Sequence, residues 1–165
     1  MISTGTEIQN GAVKDTNFEA AQELLGSQGY EVAYAGVAGD SKNEIAGMVS
    51  RVASEGFGVV ITTGGVGAED KDKTIEALQL IDPTIATATL AQYKKGHGRH
   101  VKDKVQIGVA TSGWTTIIAL PGPTHEVRLA LPVIAEHLKA GSSNDTLAEA
   151  IAVPLRATLP KHPHH

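Results

Sequence analysis

The sequence predicts a three-layer α/β fold, a mainly parallel sheet with helices on both faces, and three observations carry that expectation. Strand-like and helix-like patterns alternate along almost the whole chain, the order in which crossover helices build parallel sheets. Val59-Val60-Ile61 is an unbroken apolar run that leads into Thr62-Thr63-Gly64-Gly65-Val66-Gly67, as expected of a strand buried on both faces that delivers a tight turn to the next helix. Aromatic residues are only 4% of the chain against 41% hydrophobic residues overall. The core must therefore be aliphatic, which favours helices packed on a sheet.

Each element has its own signal. Met1-Ile2-Ser3-Thr4 supplies a first strand shorter than the usual length of about five to six residues, either truncated or beginning upstream. Asp15 to Asn17 cap a helix whose Phe18, Ala21, Leu24 and Leu25 share one face and which ends near Gly26 and Gly29. A strand follows over 31–38. Ser41 and Glu44 form a capping box, after which Ile45, Met48, Val49, Val52 and Ala53 repeat at helical spacing until Gly56. Beyond it the pattern predicts a strand over 58–63, a helix over 72–81, a helix around 87–95, strands near 105–110 and 116–120, and a helix over 124–140.

The domain is placed at residues 1–140. Gly141-Ser142-Ser143-Asn144 is a turn-like cluster that opens a carboxy-terminal extension over 141–159, expected to be a short helix plus an extended arm packing on the domain or on a neighbour. Residues 160–165, with two prolines, are expected to be a disordered tail.

Composition excludes several classes. The chain has no cysteine, which removes disulfides, thiolate metal sites and a cysteine nucleophile. A formal charge of −4 argues against nucleic acid as the main partner, because phosphate-backbone binding needs a basic surface. No membrane partner is expected either, since no apolar run approaches the length of about 18 residues that a span requires and no signal-peptide pattern follows Met1. A cytoplasmic location is the resulting expectation.

Ligands of doubly wound sheets sit outside the carboxyl ends of the strands, and the candidate residues all map there. Thr4 and Gly5 follow the first strand, Gly39 and Asp40 the second, residues 62–67 the third, and Pro121-Gly122 a later one. The spacing of Gly64, Gly65 and Gly67 is neither the dinucleotide fingerprint nor a P-loop, but glycines between a strand and a helix offer N–H groups to an anion, with phosphate the first to consider. Asp40 and Asp72 each have a simpler role as a helix-entry carboxylate. Thr74 and Glu126 would equally serve as caps. Lys94, Lys95, His97, Arg99, His100, Lys102 and Lys104 form either a solvated loop or an anion funnel. Trp114 is either a packed edge or a stacking platform.

Three stretches together carry a resemblance: Ser3-Thr4-Gly5-Thr6-Glu7-Ile8 with Asp15-Thr16-Asn17, the Thr62-Thr63-Gly64-Gly65-Val66-Gly67 turn, and Ile117-Ile118-Ala119-Leu120-Pro121-Gly122-Pro123-Thr124-His125-Glu126. Over residues 2–140 the chain is similar to the molybdopterin-binding domain family of MogA, MoaB and MoeA, and resembles most the amino-terminal domain of CinA. It departs from that pattern at Thr6 and Lys71, where the family usually carries acids, and at Ala68 in place of proline.

The resemblance implies a phosphorylated pterin or nucleotide as ligand, with molybdopterin one possibility. It implies that Asp40 and Asp72 are catalytic and hold a divalent metal, Mg²⁺ or Co²⁺/Mn²⁺. Thr4, Gly5, Glu7, Asn17, Thr62, Thr63, Gly64, Gly65, Gly67, Thr74, Pro121, Gly122 and Glu126 become the candidate phosphate-binding and ligand-binding residues. The implied activity is a metal-dependent pyrophosphatase acting on ADP-ribose-like nucleotides; the alternatives are a molybdopterin adenylyltransferase and a non-catalytic binding module. The implied assembly is a homo-oligomer, a trimer or hexamer, with a CinA-like dimer as the alternative.

Overall fold

The structure is a computed structural model that describes residues 1–5, 16–92, 102 and 104–158. Its strands are β1 (Ile2–Thr4), β2 (Gly36–Ala38), β3 (Val59–Thr63), β4 (Ala86–Gln92), β5 (Lys104–Ser112) and β6 (Thr115–Leu120), interleaved with helices α1 (Asn17–Gly26), α2 (Lys42–Ser54), α3 (Thr74–Ile81), α4 (Thr124–Ala140) and α5 (Asn144–Thr158). The strands form one sheet in the order β2-β1-β3-β6-β5-β4. β1, β2, β3 and β6 pair in parallel, and β5 runs antiparallel to both of its neighbours.

Alternation along the central strands sorts side chains into two cores. Val60, Ile117 and Ala119 face Ile45, Val49, Ile75 and Leu78 of α2 and α3. Ile61, Ile118 and Leu120 point the other way, onto Ala21, Leu131, Ile134 and Ile151 of α1, α4 and α5. That is the three-layer arrangement expected of an apolar strand run buried on both faces.

Local chemistry explains the helix ends. Ser41 Oγ accepts the Glu44 backbone N–H at 3.4 Å, closing the first turn of α2 as the predicted capping residue. Gly141, at φ 68°, ends α4 in the left-handed region, where glycine carries no Cβ penalty.

Three expectations need correction. Residues 87–92, read as the start of a helix around 87–95, belong to edge strand β4, because Ala86, Ala88 and Leu90 are buried while Thr87 between them is exposed. Inward and outward positions thus alternate with period two, the pattern of a strand. The strand over 31–38 is shorter than expected, β2 being confined to Gly36–Ala38. The extension contains no extended arm over 144–158, since α5 is a helix of 15 residues whose Leu147, Ala148, Ile151, Ala152 and Leu155 are buried in the chain's own core. Residues 160–165 lie outside the described residues. No helix among the described residues is long and apolar enough to cross a membrane.

Candidate functional site

The connection β1-α1-β2 moves one way along the sheet and β2-α2-β3 returns past β1, so the strand order reverses between β1 and β3. At such a switch point the two following loops part and leave a crevice. The registers Thr4↔Ala38, Ser3↔Thr63 and Thr63↔Leu120 end four strands at one level. Main-chain bonds continue past those ends, from Gly5 N to Ala38 O and from Gly64 N to Leu120 O, both 2.9 Å.

The crevice is a cleft of about 580 Å³ whose walls include Thr4, Gly5, Asp40, Gly64, Gly65, Gly67, Asp72, Pro121 and Gly122. Four loops predicted to converge are therefore together. A smaller apolar cavity, about 280 Å³, is lined by Met1, Tyr30, Phe57, Val59 and Ile134. It lies by the starts of β1 and β3, at the opposite end of these strands from the loops that follow them.

The glycine turn requires its glycines. Gly64 and Gly65 have φ of 97° and 71°, a region that side chains with Cβ rarely occupy. A Cβ on Gly64 would lie 2.8 Å from Thr4 O and Oγ1, and one on Gly65 would collide with Thr74 Oγ1. The turn is braced by hydroxyls: Thr74 Oγ1 donates to Gly64 O at 2.9 Å and Thr4 Oγ1 to Thr63 O at 3.1 Å. Thr74 N also donates to Gly65 O at 3.0 Å. Thr74 thus holds the turn's shape, and it is fully buried, as are Thr62 and Thr63 within β3. None of these three lines the cleft.

Asp72 has two attachments at once. Its Oδ2 accepts the Glu69 backbone N–H at 3.0 Å, and the carboxylate rests against Gly67, where a Cβ would approach Oδ2 to 2.5 Å. Burial pushes its carboxyl above the ordinary range, against the pull of the Glu69 N–H and of the Lys102 charge. Lys102 reaches this region directly: its Nζ lies 2.8 Å from Glu76 Oε1 and also donates to the Asp72 carbonyl. Lys102 is therefore tied into the turn's support, in contrast to the solvated or funnel role.

Asn17 stands behind the Pro121-Gly122 corner. Asn17, nearly fully buried, donates Nδ2 to Gly122 O at 2.8 Å. Thr16 and Thr124 join hydroxyl to hydroxyl, linking the starts of α1 and α4. Glu126, in the first turn of α4, has its carboxyl raised by burial, partly offset by His125. Asn17 braces the corner from behind, and neither Asn17 nor Glu126 is among the walls of the cleft.

Trp114 overturns both of its expected roles. It is fully exposed in the β5–β6 turn, at the start of β6, whereas the cleft lies beyond the end of that strand. Conversely, Lys71, which departs from the family's acid, lines the cleft together with Val66 and Pro123. No local pattern announces that, because the placement depends on how residues 64–73 fold back. Glu7, Lys94, Lys95, His97, Arg99 and His100 lie outside the described residues.

No cluster of three or more His, Cys, Asp or Glu among the described residues is placed to hold a metal ion. A dedicated cage is thus missing there, but Mg²⁺ is commonly held by one or two carboxylates, completing its shell with water and substrate phosphates. Asp40 and Asp72 on one cleft fit that mode.

Comparison with known proteins agrees with the geometry. The sequence profile described as "probable molybdopterin binding domain" matches residues 1–140. The chain is 26% identical over 160 residues to a CinA-like protein of Mycolicibacterium gilvum, an alignment covering 78% of this chain and 38% of that protein. A CinA-like protein of Mycobacterium tuberculosis is 23% identical over 183 residues, covering 90% and 42%. The chain thus spans about two fifths of the length of these relatives. Among solved structures, the molybdopterin biosynthesis enzyme MoaB of Thermus thermophilus superposes with a TM-score of 0.68 at 20% identity, covering 91% of this chain and 93% of that one. CinA of Thermoplasma acidophilum gives 0.62 at 24%, covering 84% and 94%. At such identities the two superpositions establish the fold.

Proposed function

The chain belongs to the molybdopterin-binding domain family, and we propose that its cleft binds a phosphorylated pterin or nucleotide and hydrolyses the pyrophosphate of ADP-ribose-like nucleotides with a divalent metal. The observation that carries this reading is the left-handed Gly64-Gly65 turn on the same cleft as Asp40 and Asp72.

A phosphoryl group meets the turn where side chains are excluded, so its donors are main-chain N–H groups of the turn beyond Gly64, whose own N–H is bonded to Leu120 O, in a shape fixed in advance by the bonds of Thr4 and Thr74. Asp40 and Asp72 would hold Mg²⁺, Mn²⁺ or Co²⁺, which when bound supplies positive charge to the phosphate oxygens. Attack of water on one phosphorus forms a P–O bond as the bridging oxygen departs with the other phosphoryl group, giving two phosphate monoesters. The Pro121-Gly122 corner, fastened by Asn17, limits how far the ligand slides along the strand ends.

Adenylyl transfer to molybdopterin is the second reading, supported by the same turn and carboxylates; a binding module without catalysis is the third, supported by Lys71 in the cleft and Thr6 in place of an acid. The deciding experiment measures AMP release from ADP-ribose with millimolar Mg²⁺, Mn²⁺ or Co²⁺ beside ATP plus molybdopterin. AMP release with a metal is expected. Its absence with tight molybdopterin binding selects the transferase, and inactivity in both assays selects the module. We also propose a cytoplasmic homo-oligomer, which light scattering tests: a mass near that of the 17.2 kDa chain would reject assembly.

A further inference from the structure

We propose that Lys102 is the positioning residue for Asp72: it clamps both ends of the turn over 68–72 and so holds the Asp72 carboxylate at the cleft for a divalent cation. The inference rests on the metal-binding reading above.

Lys102 lies two residues ahead of β5. Its backbone N–H donates to Ala68 O at 3.0 Å, and its Nζ donates to Asp72 O. Between these anchors the turn closes on itself, with Asp72 N donating to Glu69 O at 3.1 Å and Glu69 N to Asp72 Oδ2 at 3.0 Å. The carboxylate also rests against Gly67, where a Cβ would approach Oδ2 to 2.5 Å. Because the carboxylate is bonded inside its own turn, a displacement of that turn carries it along. One residue therefore sets where it stands.

An ammonium suits this place. The main-chain ladder entering α3 includes Ala77 N to Lys73 O at 2.9 Å, so Asp72 O lies just ahead of it and takes a side-chain donor instead. Glu76 follows four residues later on the same helical face, and its Oε1 lies 2.8 Å from the same Nζ. A lysine head has three donors and no acceptor, which lets one group serve the carbonyl and the carboxylate together. Glu76 Oε2 is buried with no other partner among the described residues, so Glu76 depends on Lys102 in turn. The pair is mostly shielded, its side chains being 25% and 35% exposed. It thus holds its geometry better than a fully solvated pair.

Lys102 is not itself among the walls of the cleft, so its effect on a bound cation passes through Asp72. Two roles then predict opposite signs. The charge of Lys102 alone would repel a cation, and removing it would tighten metal binding. A positioning role requires the reverse.

The test titrates Mn²⁺ into the wild type, K102M, K102R, D72N and the K102M/D72N double variant, with and without AMP, reading the free ion by electron paramagnetic resonance. K102M should weaken Mn²⁺ about tenfold, the low end of what residues supporting a metal ligand contribute. K102R should restore affinity to within about threefold, since a guanidinium also offers donors to both acceptors. The double variant should bind no more weakly than D72N, because a residue acting through Asp72 then has nothing left to position. In ADP-ribose hydrolysis, K102M should lower kcat about tenfold and leave KM within about threefold. Tighter or unchanged Mn²⁺ binding by K102M, or additive losses in the double variant, overturns the role of Lys102 and leaves the metal site standing. If K102M does not fold, E76Q, which removes the other anchor of the ammonium, goes through the same cycle with D72N and the same outcomes decide. A wild type that binds no Mn²⁺, with or without AMP, overturns the metal reading and this inference with it.

Discussion

Asp72 Oδ2 accepts the backbone N–H of Glu69 at 3.0 Å, so the carboxylate proposed to serve the cleft also closes its own loop. A substitution there tests chemistry cleanly only when it keeps an acceptor. Asp72→Asn retains a carbonyl oxygen for Glu69 and removes the charge. The variant is expected to fold, to bind nucleotide within a few-fold of wild type and to lose metal-dependent turnover; wild-type turnover would remove Asp72 from the catalytic assignment.

Gly65→Val should fail differently. At φ 71° a β-branched residue is strained, and its Cβ would strike Thr74 Oγ1. A loss of about 2 kcal/mol in urea unfolding and of phosphate binding is expected. Gly122→Ala is the contrast in stability, since its Cβ would meet Gly64 Cα at 3.5 Å and Gly64 N at 3.9 Å, both ordinary contacts, and it should unfold in urea as wild type does.

Glu126 gives a pH test. Burial raises its carboxyl above the ordinary range, so the folded state favours the protonated form. That contribution is complete below the unfolded-state pKa and is lost as pH rises through the folded-state value. Glu126→Gln should therefore melt above wild type at pH 7, with the difference closing as pH falls into the carboxylate range. A neutral-pH melting temperature at or below that of wild type would contradict this.

The docking of α5 is tested by contrast within one helix. Ile151 is fully buried and Val153 is 60% exposed. Ile151→Ala should cost about 2–5 kcal/mol, and Val153→Ala should stay within about 0.5 kcal/mol. Equal costs in denaturant titrations would mean that α5 does not pack as described.

Much of this arrangement was legible in the sequence because it depends on local chemistry. The apolar run of β3, the cap at Ser41 and the glycines at 64 and 65 each carry their own signal. β4 was misread because alanine and threonine permit either period, and only pairing with β5 made it a strand. Lys71 was legible as a departure from a motif but not as part of a wall, and Trp114 carries no sequence mark of the end of the sheet on which it falls. Asn17 was read as a ligand contact and Thr74 as a phosphate contact or a cap; the hydrogen bonds they make, to Gly122 O and to Gly64 O, brace the corners that surround the cleft, and a polar residue beside a turn looks alike in either role.

The mixed sheet also has a kinetic meaning. β4, β5 and β6 are consecutive strands paired antiparallel, with Ser112 opposite Thr115 across a tight turn. The parallel half must instead bring Ile2 to Thr62 and Val59 to Thr116, contacts distant in sequence and slower to close. The hairpin half is therefore the early-forming part of the molecule, and the glycine turn, seated between β1 and β6, takes its shape only when the distant strands arrive. In pulse-labelled refolding, amides of β5 and β6 should become protected before those of β1, so that binding competence emerges at the end of folding.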